Sequence, residues 1–441
     1  MAQERGEVAP EALNVPGRRQ RPGLAASFSA WWNKTFESMS NRNLRILWIG
    51  TFLNFAGVTM NGTAQGVVAF DLTGNNRAVG AVMLGQGLSL LLISPFAGAL
   101  ADRFSKRTML LICQLTLCLT FGFIGFAIAI DIINIPMLAV SSFIGGTMFA
   151  VIRPVRNAYI GELASPEQRG NAVAVSQLAM SAMQIVGPFL AGVLLGWSLV
   201  GSSGTYFVMA IAFIFAISTL FQLPATKSRV TQPGGPSILQ ETWAGLRYGW
   251  GHPEIRWVLA GFVMLTIVGT PYMTLLPGYV SEVLGMSTAR LGVPLGISAL
   301  GGFLVSLATA SLADSPKAPM ILFVCNLVFA ASLIGLGLAP NFAAAAFVVL
   351  FLGAGASGFQ MLNTAIALRA ADLAYMGRVA SLTMMAFSLS GIVAFPIGAA
   401  ADAYGERVVL GSMGVAVFIV SIILAAWKQQ MIRSANSAAS A

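Results

Sequence analysis

A single histidine, His252, and three cysteines in 441 residues leave little material for a metal centre or a disulfide framework. Cys113, Cys118 and Cys325 lie in apolar runs without ligand spacing or a pairing pattern, which reads as packing. Charge is also scarce, at 9% of residues, while 56% are hydrophobic and the mean hydropathy is +0.79. A soluble fold cannot hide that much apolar surface, so the composition is that of a polytopic membrane protein. There is no glycine-rich phosphate loop ending in lysine and no paired nucleophile and base. ATP-driven transport and enzyme chemistry are therefore not expected, and no cofactor is expected either. The net charge of +9 is spread over short loops and tails and makes no basic face, so no nucleic-acid partner is expected.

Twelve apolar runs make up most of the chain, each near the roughly 20 residues that cross a bilayer as a helix. They fall near 44–70, 78–100, 107–130, 135–158, 171–197 and 203–223, then 257–280, 290–312, 318–338, 342–368, 377–400 and 408–427. The expected class is all-α, with twelve transmembrane helices in two pseudo-symmetric six-helix bundles. Residues 1–42 form a tail, 43–223 the first bundle, 224–256 a linker, 257–428 the second bundle and 429–441 a second tail. Residues 1–27 have the composition of a disordered segment and lack a signal-peptide pattern. Phe28, Trp31, Trp32, Phe36 and Met39 recur at helical spacing, as do Leu239, Trp243, Leu246 and Trp250 in the linker. Both patterns predict helices lying in the membrane interface.

Loop charges set the orientation. With the N-terminus inside, 22 of the 25 basic residues lie on the cytoplasmic side, and only Arg77, Arg290 and Arg407 lie outside. An asymmetry of that size predicts cytoplasmic termini. The halves also repeat. Asp102 is echoed by Asp314, Arg169 by Arg378, Pro188 by Pro396 and Asn157 by Asn363, at offsets between 206 and 212. Parallel six-span repeats are one of the recurrent plans of secondary transporters.

The stretch between spans 2 and 3, GALADRFSKR from Gly98 to Arg107, packs three basic residues and Asp102 between two apolar runs. Its charges belong at the water interface, as a topological signal or as a conformational device. The order Gly-x-x-x-Asp-Arg-x-x-Lys-Arg resembles the signature loop between helices 2 and 3 of the major facilitator superfamily. FDLTGNNRAVG, RPVRNAYIGELASPEQRGNAVA, IVGPFLAG and LRYGWGHPEIRWVL extend the resemblance over nearly the whole chain beyond residue 40. They look like the branch that holds the enterobactin exporter and related multidrug and macrolide efflux proteins. The resemblance implies alternating access by two rocking bundles, and export driven by the proton gradient.

Within that frame, Gly98, Asp102, Arg103, Lys106 and Arg107, with Arg156 and Glu162 at the end of span 4, form a candidate latch between the halves. Asp102 would approach the N-terminus of span 11, whose free N–H groups carry partial positive charge. Gly187, Pro188 and Gly192 resemble an antiporter motif with alanine in one glycine position; they mark either a bend in span 5 or close helix packing. Arg153 either snorkels to the interface or meets an acid or an anionic substrate. Spans 1, 4, 7 and 10 line the cavity in that fold. Asn54, Asn61 and Gln65 share a face of span 1, span 7 offers Thr266, Thr270 and Tyr272, and span 10 offers Gln360 and Asn363. With Met60, Met264, Met273 and Met361 on the same spans, they suit a bulky amphipathic ligand, or else they satisfy one another between helices.

The sequence offers no convincing midplane acid for proton coupling. Asp71 and then Asp131 are the remaining candidates, each also readable as an interfacial or capping acid. The expectation is a monomeric exporter of drug- or siderophore-like small molecules, working in the lipid bilayer with protons as coupling ion. The alternatives are a lipid, lysolipid or dedicated metabolite carrier, and, in another class, a non-transporting receptor or scaffold.

Overall fold

The computed structural model describes residues 37–225, 249–287, 291–310, 317–370 and 376–440, with isolated positions between them. Both predicted interfacial helices fall outside the described residues, apart from Met39 and Trp250.

The helices follow the apolar runs. The first six are α1 (Arg42–Thr73), α2 (Asn76–Arg103), α3 (Lys106–Ala129), α4 (Ile135–Leu163), α5 (Arg169–Gly196) and α6 (Gly201–Phe221). The second six are α7 (Pro253–Val283), α8 (Gly292–Ala310), α9 (Ala318–Leu338), α10 (Phe342–Ala370), α11 (Met376–Tyr404) and α12 (Glu406–Ser440). Among the described residues, eleven are long and apolar enough to cross a membrane, and α1 is the one that falls short. Its 32 residues give ample length, but Asn54, Thr59, Asn61, Thr63 and Gln65 dilute its hydropathy. A helix that polar survives in a membrane only where its polar face meets protein or a water-filled cavity.

Local chemistry sets the helix ends. The Asn41 and Asn134 side chains accept backbone N–H bonds at the starts of α1 and α4. Gly74, at φ 67°, ends α1 with its N–H on the Phe70 carbonyl. The α7 span is broken at Thr270–Pro271, because Pro271 has no N–H to continue the ladder, and it resumes as Tyr272–Gly278 before a π turn at Tyr279–Val283.

Two packs of six result. In the first, α1 lies against α5 and α6, α2 against α4, and α3 against α4 and α6. In the second, α8 lies against α10, α9 against α10 and α12, and α7 against α10, α11 and α12. Leu115, Leu119 and Phe123 on α3, and Phe418, Ile419 and Ile423 on α12, are exposed, as side chains facing lipid must be. A tryptophan near the start of each half ties its helix to another of the same pack: the Trp48 indole N–H of α1 donates to the Val175 carbonyl of α5 (3.1 Å), and that of Trp257 of α7 donates to the Leu424 carbonyl of α12 (2.8 Å).

The halves meet along α2 with α11 and α5 with α8. Between hydrocarbon-facing helices no hydrophobic force operates, so contact depends on close backbone approach at small residues. Gly80 lies on the Ala394–Phe395 backbone, Gly87 on Ser388 and Gly391, and Gly192 on Gly292.

Within the second pack, Gly353 of α10 lies against the Ser298 backbone of α8, where a Cβ would require the backbone to move; Gly122 of α3 has no neighbour within 4 Å of a built Cβ. Gly353→Leu is therefore expected to destabilise by about 3 kcal/mol or to block folding. Gly122→Ala should be neutral or stabilising by about 0.5–1 kcal/mol. Melting curves of both variants in detergent check the contrast.

Candidate functional site: two faces of a helical protein

The two ends of the molecule are named here by Lys106 at one and Asn76 at the other. At the Lys106 face, α3 begins with two cations in different settings. Lys106 is buried at 2% exposure and its Nζ lies 3.2 Å from the Glu162 carboxylate of α4. Arg107 donates to the Leu220 and Phe221 carbonyls at the C-terminus of α6 (2.9 and 3.2 Å), the end where a helix concentrates negative partial charge. The Tyr159 hydroxyl donates to the Pro224 carbonyl (2.7 Å). These contacts tie α3, α4 and the end of α6 together within one half.

Gly98, Asp102 and Arg103 of the expected latch lie, beyond their helical backbone, outside the described residues, as do Asp314 and the side chain of Arg378. The expected link between Arg156 and Glu162 takes another form: Glu162 pairs with Lys106. Arg156 is 2% exposed, its guanidinium lies 5.8 Å from the Phe55 ring, and none of its three nitrogens has a hydrogen-bond partner. Arg153 is half-buried, with its guanidinium 5.7 Å from the Phe149 ring. Phe55, Phe149, Met180 and Met183 form an apolar cluster beside these arginines.

Gly187 packs on Thr59 of α1, whose hydroxyl donates to the Met183 carbonyl (2.9 Å). α5 continues through Pro188 as one helix, and Gly192 serves the crossing with α8. Both glycines make close packing contacts.

Of the polar set, Asn54, Asn61, Gln65, Thr266, Tyr272 and Asn363 are buried, and Thr270 and Gln360 are half-buried. Some satisfy one another or the backbone: Gln65 donates to Ser141 (3.3 Å) and Asn363 to the Phe359 carbonyl (3.2 Å). Both amide atoms of Asn54, the amide oxygen of Asn61 and the Thr266 hydroxyl have no partner. Unpaired buried polar atoms are costly, so each of these calls for a partner that water, a ligand or another conformation supplies. Tyr272 stacks edge-on with Phe329 of α9 (6.0 Å) and faces its own bundle.

Asp71 and Asp131 are exposed at helix ends. Asp131 adopts φ 57° as the left-handed cap of α3, with Ile132 N–H on Ala127 and its own N–H on Ile128, a Schellman closure. Among the described residues no cluster of His, Cys, Asp and Glu is arranged to hold a metal.

The Asn76 face holds residues that sequence reasoning missed. The Asp402 carboxylate, at the end of α11, accepts from the backbone N–H of Asn76 (2.7 Å) and of Arg77 (2.9 Å) at the start of α2. The Asn76 side-chain nitrogen donates to Asp402 (3.2 Å) and to Glu406 of α12 (2.8 Å). Gly398, four residues before Asp402, lies against the Asn76 backbone, and Gly278 of α7 lies against the Asn76 and Glu406 side chains. The Arg77 guanidinium lies 5.3 Å from the Phe395 ring. Elements of both halves thus close on one helix start. The signal was present: Gly398–Arg407 (GAAADAYGER) matches Gly98–Arg107 (GALADRFSKR) at Gly, Asp and Arg, 300 positions on.

Two packs of six membrane helices, meeting along small residues and closed by polar contacts at one face, define a secondary-transporter architecture. The chain belongs to the Major Facilitator Superfamily, whose family model matches residues 47–395. It is 25% identical over 296 residues, 65% of this chain and 71% of the relative, to the staphyloferrin A transporter of Staphylococcus aureus. It is 28% identical over 357 residues, 78% of this chain and 85% of the relative, to a putative sugar efflux transporter of Deinococcus radiodurans. Multidrug resistance protein 2 of Bacillus subtilis matches at 28% over 154 residues, 35% of this chain and 37% of that protein. The nucleoside transporter NupG superposes with a TM-score of 0.70 at 13% identity, covering 87% of this chain and 98% of that one, a likeness of fold.

The Lys106–Glu162 pair is buried on one side and part-exposed on the other. Lys106→Ala and Glu162→Ala are each expected to lower stability by about 1–3 kcal/mol, and the double variant by less than their sum. A thermal double-mutant cycle in detergent measures the coupling.

Proposed function

We propose that this chain is a bacterial inner-membrane exporter of amphipathic small molecules, of drug or siderophore type, working by alternating access. The observation that carries the reading is the uncharged polar interior of α1 and α7, where Asn54, Asn61 and Thr266 are buried with unpaired atoms. Such groups offer hydrogen bonds to a ligand without demanding a charge, and Met60, next to Asn61 in the chain, is a flexible apolar neighbour. The names of relatives support efflux: a siderophore transporter, a putative sugar efflux transporter and multidrug resistance proteins.

In this reading the Lys106 face is cytoplasmic, because it carries most of the basic residues, and both termini lie on that side. The halves divide at 43–223 and 257–428 and act as one monomer in the bilayer. Protons drive export by antiport, and Asp71 is the first coupling candidate, whereas the role of Asp131 is to cap α3.

Cells lacking their own efflux pumps test the whole reading. Expression should lower accumulation of some members of a panel of dyes, antibiotics and hydroxycarboxylate siderophores, and an uncoupler should abolish the difference. Unchanged accumulation of every compound, with the protein shown in the membrane, contradicts small-molecule export. Asp71→Asn should reduce proton-driven export at least tenfold. Asp131→Gly should leave it unchanged, because glycine adopts the left-handed cap at no cost. Equal losses in the two variants would remove the distinction drawn between them.

A further inference from the structure

The described contacts between α2 and α11 with named atoms run from the middle of α2 towards the Asn76 face: Gly87 with Ser388 and Gly391, Gly80 with Ala394, Gly398 with Asn76, and Asp402 with the start of α2. The last two come from one face of one helix, since residues four apart are neighbours on a helix surface. Gly398 lets the α2 start approach the α11 backbone, and one turn later Asp402 places a carboxylate on the free N–H groups there. The carboxylate accepts three N–H bonds, two of them from the backbone at a positive helix end, which is the strong, charge-assisted class of hydrogen bond.

The same Gly-x-x-x-Asp unit ends α2 at the opposite face, as Gly98 and Asp102. One unit therefore stands at the Lys106 end of α2, and its copy stands at the Asn76 end of the helix that α2 crosses. We propose that Gly398, Asp402 and Glu406 form a second latch, the mirror of the first. Asp402, on the start of α2, holds the Asn76 face shut, and Asp102 performs the same service at the Lys106 face in the opposite state. Asp402 acts as a positioning residue: it sets which face of the transporter is open and touches no substrate. Glu406 assists through Asn76, whose side chain reaches both carboxylates.

The inference rests on the proposed orientation, with the Asn76 face outside the cell, but not on any substrate. Its test needs none. Ser388 is 0% exposed beneath the α2–α11 contact, and cysteine there changes one atom. In a chain with Cys113, Cys118 and Cys325 replaced by alanine, Ser388→Cys is labelled in intact cells by a membrane-impermeant thiosulfonate added outside. The exposed Asn75, labelled as Asn75→Cys, reports orientation alone; if it stays unlabelled, the orientation has failed and the labelling is repeated in inside-out vesicles, where the Asn76 face is then outward.

Asp402→Asn keeps the shape and removes the charge. It should raise the Ser388→Cys labelling rate about tenfold or more, as loss of a charge-assisted contact implies. Asp102→Asn should lower it, and the double variant should return towards the starting rate. Asp402→Glu should restore part of the closure, and the melting temperature of all variants should change little, a combination that a purely structural role does not give. An unchanged labelling rate in Asp402→Asn overturns the proposal. So does a rise accompanied by a fallen melting temperature, or one that Asp102→Asn does not offset.

Discussion

Backbone contact at glycine between α2 and α11 is the constraint on which the rest of the molecule depends. In a bilayer, apolar side chains gain little by leaving lipid for protein, so helices associate through packing and hydrogen bonds. Gly80, Gly87, Gly391 and Gly398 let the two backbones meet from the midplane to one face. Where the helices reach water, polar bonds take over: the N–H groups that α2 cannot satisfy internally are bonded by a carboxylate from the other half. A contact made of small surfaces and a few bonds at its rim separates without exposing a large apolar core. That suits a joint that opens and closes.

Within each half, by contrast, the fastenings are fixed. Lys106 with Glu162, Arg107 on the end of α6, Trp48 on α5 and Trp257 on α12 all join helices of the same pack. Such fastenings hold the helices of one half to one another. The unpaired atoms of Arg156, Asn54, Asn61 and Thr266 lie within or between helices of these packs. A fully buried guanidinium beside phenylalanine and methionine, with no acid bonded to it, is the least compensated group described in the first half.

Much of this was legible in the sequence, because length and hydropathy are direct consequences of the bilayer. The twelve spans, the class and the family follow from apolar runs and from Gly98–Arg107. Even α1, the span too polar to stand out by hydropathy, is so through Asn54, Asn61 and Gln65, the polar face read from the sequence. Partner choice was not legible. Glu162 has two basic neighbours in reach by sequence, and only packing shows that it takes Lys106 and leaves Arg156 alone. Asp131 was readable as a coupling acid or as a cap, and its left-handed φ, which composition does not report, shows the capping geometry. Asp402 was overlooked because its copy of the loop motif lost two of its basic residues, keeping the Gly-x-x-x-Asp spacing that places it on α2.

The central claim is that the α2–α11 joint opens at one face as it closes at the other. Spin labels on Asn75 and Tyr404 report the Asn76 face, and labels on Ser105 and Ser315 report the Lys106 face. Pulsed electron–electron distance measurements on each pair, in lipid nanodiscs, are the most direct test. The account predicts two populations at each face, with the share of long distances at one equal to the share of short distances at the other. Distances that lengthen together at both faces, or a single population at each, would contradict it.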